Sequence, residues 1–230
     1  MLVIGLGHIG KALSNILKNQ YEVDEIDKNS HIDKKFEFIH VCYPYFEGFE
    51  KETQKYKSQY LSPDGICIIH STVPMGTSKL CGAVHSPIRG IHPDLESGIK
   101  TFVKYFGGKD AERAAQIFKK LGIKTETTPN SDTTEALKLW DTTIYAWNVI
   151  LEKEIYNYCK KYGLDFDLIY GNSSESYNTG YEELGHPEYK KYVLKHMPGP
   201  IGGHCLISNT KLLRNWISDI ILFRNSYFEP

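Results

Sequence analysis

Apolar and polar positions alternate along the first 128 residues with two periods, one suited to strands and one to helices. Leu2, Val3 and Ile4 form a short apolar run that reads as a buried strand. Lys11–Lys18 carries Ala12, Leu13, Ile16 and Leu17 at helical spacing. Tyr21–Ile26, Phe36–Cys42 and Ile66–His70 read as further strands, and Glu50–Tyr60 as a polar surface helix. Ser62-Pro-Asp-Gly65 is a turn signal. Val84–Pro87 continues the pattern, followed by a strand at Phe102–Phe106. Ala111–Leu121 is an amphipathic helix stopped by Gly122, and Ile123–Thr127 is a final strand. Alternating strands and helices predict the α/β class, with a Rossmann-type, mostly parallel sheet covered by helices.

The pattern then changes. Thr133–Tyr162 is helix-compatible throughout and meets no Pro or Gly until Gly163, with Asp132 or Thr133 able to cap its start. A helix of about thirty residues is long for a globular domain. It predicts the spine of a second, smaller, all-helical domain. The expected division is residues 1–130 for the sheet domain and 131–230 for the helical one. Within the latter, Asp165–Tyr170 reads as another helix, and residues 171–200 as irregular or short helices. Met197–Cys205 reads as a Gly/Pro-rich loop and Asn209–Asn225 as a last amphipathic helix.

Composition narrows the function classes. The 230 residues hold 27 Lys+Arg against 28 Asp+Glu, a net charge of −1 that argues against a nucleic-acid binder or a polybasic membrane-surface protein. No apolar run approaches the roughly 18–20 residues of a membrane span. The strand directly after Met1 leaves no room for a secretory leader. Cys42, Cys67, Cys81, Cys159 and Cys205 are an odd set with no CxxC pair, which fits thiols in a reducing compartment and predicts a cytoplasmic protein.

Three segments carry candidate chemistry. Gly5-Leu6-Gly7-His8-Ile9-Gly10 is GxGxxG between a strand and a helix, the context a dinucleotide fingerprint requires. Gly5 permits the tight turn, Gly7 lets a pyrophosphate approach the backbone, and Gly10 lets helix and strand pack closely. His8 and Ile9 lie at the helix start, whose N–H groups and dipole suit phosphate. Asp27 ends the second strand, where a carboxylate holds ribose hydroxyls and repels a 2′-phosphate, so NAD is expected over NADP. The bland alternative is a chance glycine turn. Ser71-Thr-Val-Pro74 follows the fourth strand, so Ser71 and Thr72 can face the nicotinamide side, or merely cap a turn. Gly199-Pro-Ile-Gly-Gly-His-Cys205 places Cys205 among glycines at the mouth of a helix. That suits a nucleophile, although taken alone a buried, inert cysteine is the commoner case. His85, Arg89 and His92 lie in one short stretch and, with His204, are candidates for holding an anionic substrate group; the alternative is loop polarity. No HxH or HxxxH spacing supports a metal site.

These motifs, with Val41-Cys-Tyr43-Pro44, Ser86-Pro87, Glu135-Ala-Leu-Lys138 and Leu206, fall in the order seen in the UDP-glucose/GDP-mannose dehydrogenase family. The Gly-rich cysteine segment resembles the UDP-N-acetylmannosamine dehydrogenase branch most. The resemblance spans nearly the whole chain and implies oxidation of a sugar alcohol in two NAD-dependent steps. It implies Cys205 as the nucleophile that forms a thiohemiacetal and thioester, Lys138 as the group that stabilises oxyanions, and Thr72 as the threonine of the turn. It places Tyr43 and Pro44 beside the cofactor. Thr142 stands where the family usually has asparagine, Asn209 where it has an acid, and Ile88 where it has Glu. Thr142 and Asn209 are therefore carried as catalytic positions with altered chemistry. The family also continues into a third, nucleotide-gripping domain.

The leading expectation is an NAD-dependent oxidoreductase acting on a hydroxyl group of a small or sugar-like anionic substrate. One alternative is a two-electron hydroxyacid dehydrogenase or ketoacid reductase of the 6-phosphogluconate-dehydrogenase-like superfamily. Another is a non-catalytic NAD-binding module. The expected partners are a small-molecule substrate and a second copy of the chain, with no nucleic acid and no membrane.

Overall fold

A computed structural model describes residues 1–28, 30–91, 93–203 and 205–228. The chain divides into two compact units, Met1–Leu139 and Trp140–Pro230.

The first unit is built on a seven-stranded sheet. In chain order its strands are β1 (Leu2–Ile4), β2 (Asp24–Ile26), β3 (Phe36–Val41), β4 (Leu61–Ile69), β5 (Val84–His85), β6 (Lys104–Gly107) and β7 (Thr125–Thr128). Their spatial order is β2-β1-β3-β4-β5-β6-β7. Every neighbouring pair is parallel except β5–β6. The interleaved helices are α1 (His8–Leu17), α2 (Phe49–Tyr60), α3 (Thr77–Leu80), α4 (Leu95–Thr101) and α5 (Ala111–Lys120).

Alternate residues of each strand feed two cores, one on each face. Val3, Ile66, Ile68, Val84 and Phe106 pack with α1, α4 and α5 residues such as Leu13, Leu95 and Phe118. Leu2, Ile4, Ile39, Val41 and Ile69 pack with Phe49 and Tyr60 of α2. A sheet covered on both faces needs such apolar strands, as the sequence pattern anticipates.

Several boundaries differ from the sequence reading for identifiable reasons. Ser62–Gly65 does not end an element: it lies within β4, where the register slips between the Phe36↔Leu61 and Phe38↔Ile66 pairs, so the turn-forming residues bulge out of the ladder. The segment from Tyr21 is strand only from Asp24; the Tyr21 hydroxyl instead donates to the Ile117 carbonyl at 3.2 Å. Helix α4 was not anticipated. Its cap is Asp94, whose carboxylate accepts from the Ser97 N–H at 3.1 Å.

The long helix α6 (Ser131–Tyr162) starts in the first unit and continues into the second. The second unit is otherwise a π-helical turn (Asp167–Asn172), α7 (Ser173–Glu183), a 3₁₀ turn (Pro187–Tyr189), α8 (Leu206–Leu213) and α9 (Trp216–Asn225). The single last helix expected at Asn209–Asn225 is two helices. Arg214 turns left-handed (φ 51°), and Asn215 and Ser218 form a reciprocal capping box that restarts the chain as α9. Ala146, Ile150, Ile201 and Ile221 form the small core of this unit.

Candidate active site

Strands β1 to β5 all end on one edge of the sheet, and the chain order reverses between β2 and β3 on either side of β1. In open α/β sheets ligands bind beyond the carboxyl ends of the strands at such a switch point. The edge is knitted by backbone bonds just past the strand ends. The Gly5 N–H donates to Ile26 O at 2.9 Å, the Cys42 N–H to Ile4 O at 2.8 Å, the His70 N–H to Val41 O at 2.8 Å and the Ser86 N–H to Ile69 O at 2.8 Å.

The three fingerprint glycines are required for three different reasons. Gly5 has φ +91°, and a Cβ there would lie 2.8 Å from the Tyr43 nitrogen. Gly10 sits in α1, where a Cβ would meet the Gly5 carbonyl oxygen at 1.9 Å. Around Gly7 a Cβ would find nothing within 4 Å. Gly5 and Gly10 thus answer to packing within the protein, whereas Gly7 faces open space at the start of α1. The N-cap of that helix is Gly7 itself, which has no side chain to cap it, and no acidic residue occupies the first turn. This is the donor chemistry of a phosphate cradle.

Asp27 follows β2 beside this turn and is exposed. Its Oδ1 accepts from the Lys28 N–H at 2.8 Å. Tyr43 is half-buried beyond β3, with its hydroxyl 2.7 Å from Thr53 Oγ1, and burial pushes its phenol up. Pro44 is exposed. Ser71 is buried and donates to the Tyr43 carbonyl at 2.5 Å, while the adjacent Thr72 is half-buried. Ser71 therefore ties the β4 turn to the β3 turn.

Sequence reasoning gave Glu135 no role of its own, yet it organises this region. It is fully buried, and its two carboxylate oxygens accept from the Gly76 N–H at 2.6 Å and the Ser78 N–H at 2.7 Å. The first turns of α6 are thereby fixed to the turn after β4, and half-buried Lys138 follows one turn later. Burial raises the Glu135 carboxyl despite these donors. The only hint in the sequence was a Glu three residues before Lys138 in a first helical turn.

His85 occupies a different place from the one expected. It is fully buried, its Nε2 lies 3.2 Å from Ser71 O, and its Nδ1 lies 2.9 Å from Thr134 Oγ1. Burial lowers it to about 3, and the nearby charges of Lys104 and Lys138 act in the same direction. It is a brace inside the fold, not a group presented to substrate. Arg89 is half-buried, with its guanidinium 5.4 Å from the Phe102 ring and 5.8 Å from the Tyr105 ring. His92 and His204 lie outside the described residues.

A second buried polar group lies beneath the same edge. His40 Nδ1 is 3.0 Å from His70 Nε2, and His70 Nδ1 is 2.8 Å from Ser86 O. Lys104 Nζ donates to Ser86 O at 3.1 Å. Burial lowers His40 to about 3, His70 well below its ordinary value, and Lys104 to about 7. A cavity of about 470 Å³ opens at the opposite edge of the sheet, lined by Gly65, Val84, Lys109 and Asn130 among others.

In the second unit, Cys205 is exposed and stands at the start of α8. The other four cysteines are buried. Asn209, one turn into α8, is buried at 7% exposure, and its N–H donates to Cys205 O at 2.9 Å. Thr142 is half-buried on α6. Ile88 packs into the first unit's core, which accounts for an apolar residue there. Thus the glycine turn, Asp27, Tyr43, Ser71, Thr72 and Lys138 belong to the first unit, and Thr142, Cys205 and Asn209 to the second.

No protein-family model matches the chain, and no curated protein matches it in sequence. Solved structures do. A UDP-D-ManNAc dehydrogenase from Pyrococcus horikoshii aligns with TM-score 0.76 and 20% identity, over 98% of this chain and 68% of that one. A UDP-N-acetyl-mannosamine dehydrogenase from Staphylococcus aureus aligns with TM-score 0.72 and 15% identity, over 98% and 67%. A 3-hydroxyisobutyrate dehydrogenase from Mycobacterium tuberculosis aligns with TM-score 0.68 and 13% identity, over 96% and 90%. What this likeness shows is the fold: a mostly parallel, Rossmann-like α/β unit followed by a helical region built on one long helix.

Proposed function

We propose that this chain is an NAD-dependent dehydrogenase acting on a hydroxyl-bearing carbon of a small or sugar-like anionic substrate. The observation that carries the reading is the division of labour among the glycines. Gly5 and Gly10 answer to internal packing, while Gly7, the side-chain-less N-cap of α1, faces open space. Those residues fit a dinucleotide. Gly7, His8 and Ile9 would hold its pyrophosphate, and Asp27 its ribose hydroxyls. The exposed Asp27 carboxylate favours NAD over NADP by repelling a 2′-phosphate. Tyr43, Pro44 and Thr72 would border the ring beyond. A bound nicotinamide would supply the hydride acceptor for the carbon being oxidised, with the hydroxyl proton leaving to solvent. Lys138, placed by Glu135, supplies positive charge to the alkoxide or carbonyl oxygen of the substrate.

Cys205 would add its sulfur to an aldehyde carbon, the S–C bond replacing the carbonyl π bond and the thiol proton passing to the oxygen, which holds the carbon as a thiohemiacetal ready for a second oxidation. Arg89 would receive the anionic group. The fold likeness to nucleotide-sugar dehydrogenases and to a hydroxyacid dehydrogenase is compatible with this chemistry. A two-electron reaction on a hydroxyacid is the second reading. Thr142, Asn209 and the core residue Ile88 favour it, because none is a carboxylate able to activate water for thioester hydrolysis.

We further propose a homodimer. Trp140, Ile144, Trp147, Leu151, Tyr158 and Tyr162 are exposed and lie within one narrow stripe of α6, as a helix partner requires. Light scattering should give twice the 26.3 kDa chain mass.

The decisive experiment combines thermal shift with NAD and with NADP and NADH absorbance over sugar nucleotides, simple sugars and hydroxyacids. No shift with either cofactor would overturn the reading. A shift without turnover would favour a non-catalytic NAD-binding module. With Cys205→Ser, release of aldehyde in place of acid supports the four-electron route, and unchanged turnover supports the two-electron one.

A further inference from the structure

The Gly/Pro-rich turn that ends at Cys205 is preceded by a strap without helix or strand, from Lys190 onward. A segment of this composition has little reason to hold one conformation by itself. Here it is fastened at successive points. Asn178 grips Lys191 twice: its Nδ2 donates to Lys191 O at 3.0 Å, and its Oδ1 accepts from the Lys191 N–H at 2.7 Å. The Tyr170 hydroxyl accepts from the Leu194 N–H at 3.1 Å. Further on, the Ile201 N–H donates to Asn225 Oδ1 at 2.6 Å, and Ile201 enters the unit's core.

Between these points stand two adjacent, buried, ionisable residues of α6 that no part of the proposed reaction uses. Glu152 is 2% exposed and Lys153 3%. Both turn their polar ends to the strap. Glu152 Oε1 lies 2.8 Å from His196 Nδ1, and Lys153 Nζ donates to the Met197 carbonyl. The His196 ring stacks on Tyr156 at 3.6 Å between centroids, with Phe166 against its edge at 5.9 Å. Burying two such side chains costs free energy that a surface placement would avoid, and polar contacts in this setting favour a single arrangement over many. The fastened stretch ends four residues before Cys205.

We propose that Glu152 and Lys153 are positioning residues, a latch from the long helix that holds the strap and so fixes the turn presenting Cys205. The inference rests on the reading of Cys205 as the reacting thiol. Its test reads the thiol and the strap directly, so a failure of the latch and a failure of the enzyme reading are separable.

The latch predicts a specific pattern in the full chain. In Glu152→Ala and Lys153→Met, native-state trypsin cleavage after exposed Lys195 should rise about tenfold, because the strap opens locally without global unfolding. Iodoacetamide alkylation of Cys205, the exposed cysteine, should rise about threefold in the same variants as the turn loosens. Glu152→Gln keeps an oxygen acceptor for the His196 Nδ1–H and should behave as wild type in both assays. A merely structural carboxylate would not show that rescue together with a coupled change at Cys205. If Glu152→Ala fails to fold, His196→Ala, at a part-exposed position, replaces it. Strap cleavage that rises while alkylation stays unchanged would overturn the proposal, as would unchanged strap cleavage or a Glu152→Gln variant as loose as Glu152→Ala. If instead the latch pattern appears but Cys205→Ser leaves turnover intact, the positioning stands and the covalent reading falls.

Discussion

Lys104 is a buried lysine, 4% exposed, with its ammonium 3.1 Å from the Ser86 carbonyl and 3.3 Å from His70 Nδ1. Burial lowers it to about 7. In the unfolded chain it returns to about 10.4. Between those values the unfolded state binds a proton that the native state does not, so stability rises with pH at about 1.4 kcal/mol per unit. The full gap is worth on the order of 5 kcal/mol, as an upper figure for one buried group. Lys104→Met keeps most of the volume and removes the titration. It forfeits one neutral-range hydrogen bond of about 1 kcal/mol, while Ser86 O keeps His70 as a partner. We expect the variant to be more stable than wild type at pH 7 by roughly 2–3 kcal/mol, with that advantage shrinking as pH rises. The usable window is about pH 7–8.5. Above it the thiols of Cys42 and Cys67, pushed up to about 12 by burial, lower stability as they ionise in the unfolded chain. Urea unfolding should be followed by backbone circular dichroism, because Trp140, Trp147 and Trp216 all lie in the second unit. Equal pH slopes for wild type and variant, or a variant less stable at pH 7, would refute the reasoning.

Three further outcomes are expected. His40, His70 and His85 are held neutral by burial, so each costs the fold about 1.4 kcal/mol per unit as pH falls below about 6.5, down to about 3 for His40 and His85, and acid titration should unfold the first unit early; a flat profile down to pH 4.5 would contradict this. Gly10→Ala forces a Cβ to within 1.9 Å of Gly5 O and should cost more than about 2 kcal/mol, whereas Gly7→Ala should cost under about 1 kcal/mol yet weaken NAD binding at least about tenfold; calorimetry checks both. Asn215→Ala removes the cap of α9 and should cost about 1 kcal/mol, read by tryptophan fluorescence of the second unit.

The sequence carried most of the sheet and the long helix, because local periodicity and the physics of a two-sided sheet agree there. It also carried the glycine turn and Asp27, whose spacing has a backbone reason. Other features depend on contacts that no local window contains. Nothing in Lys104-Tyr-Phe106 distinguishes an inward lysine from an outward one; that depends on His70 and Ser86, distant in sequence. His85 looked like a ligand because polar residues past a strand end often are, but Thr134 and Ser71 satisfy it from other elements. Helix α7 holds Ser, Asn and Gly180, weak helix formers, and forms against the preceding π turn. The α8–α9 break was masked because apolar spacing continues across Arg214–Asn215.

The single antiparallel pair in the sheet, β5 against β6, has a directional consequence. Because β7 runs with β6, the chain leaves it on the edge opposite the glycine turn. Helix α6 must therefore travel back, at about 1.5 Å per residue, toward the edge where the other strands end. On the way Thr134 passes His85 and Glu135 passes the turn after β4. In an all-parallel sheet the same helix would set out from the glycine-turn edge and lead away from it. One reversed strand thus turns the long helix α6 into a pointer, and Lys138 rides on it toward the edge where β1 to β5 end.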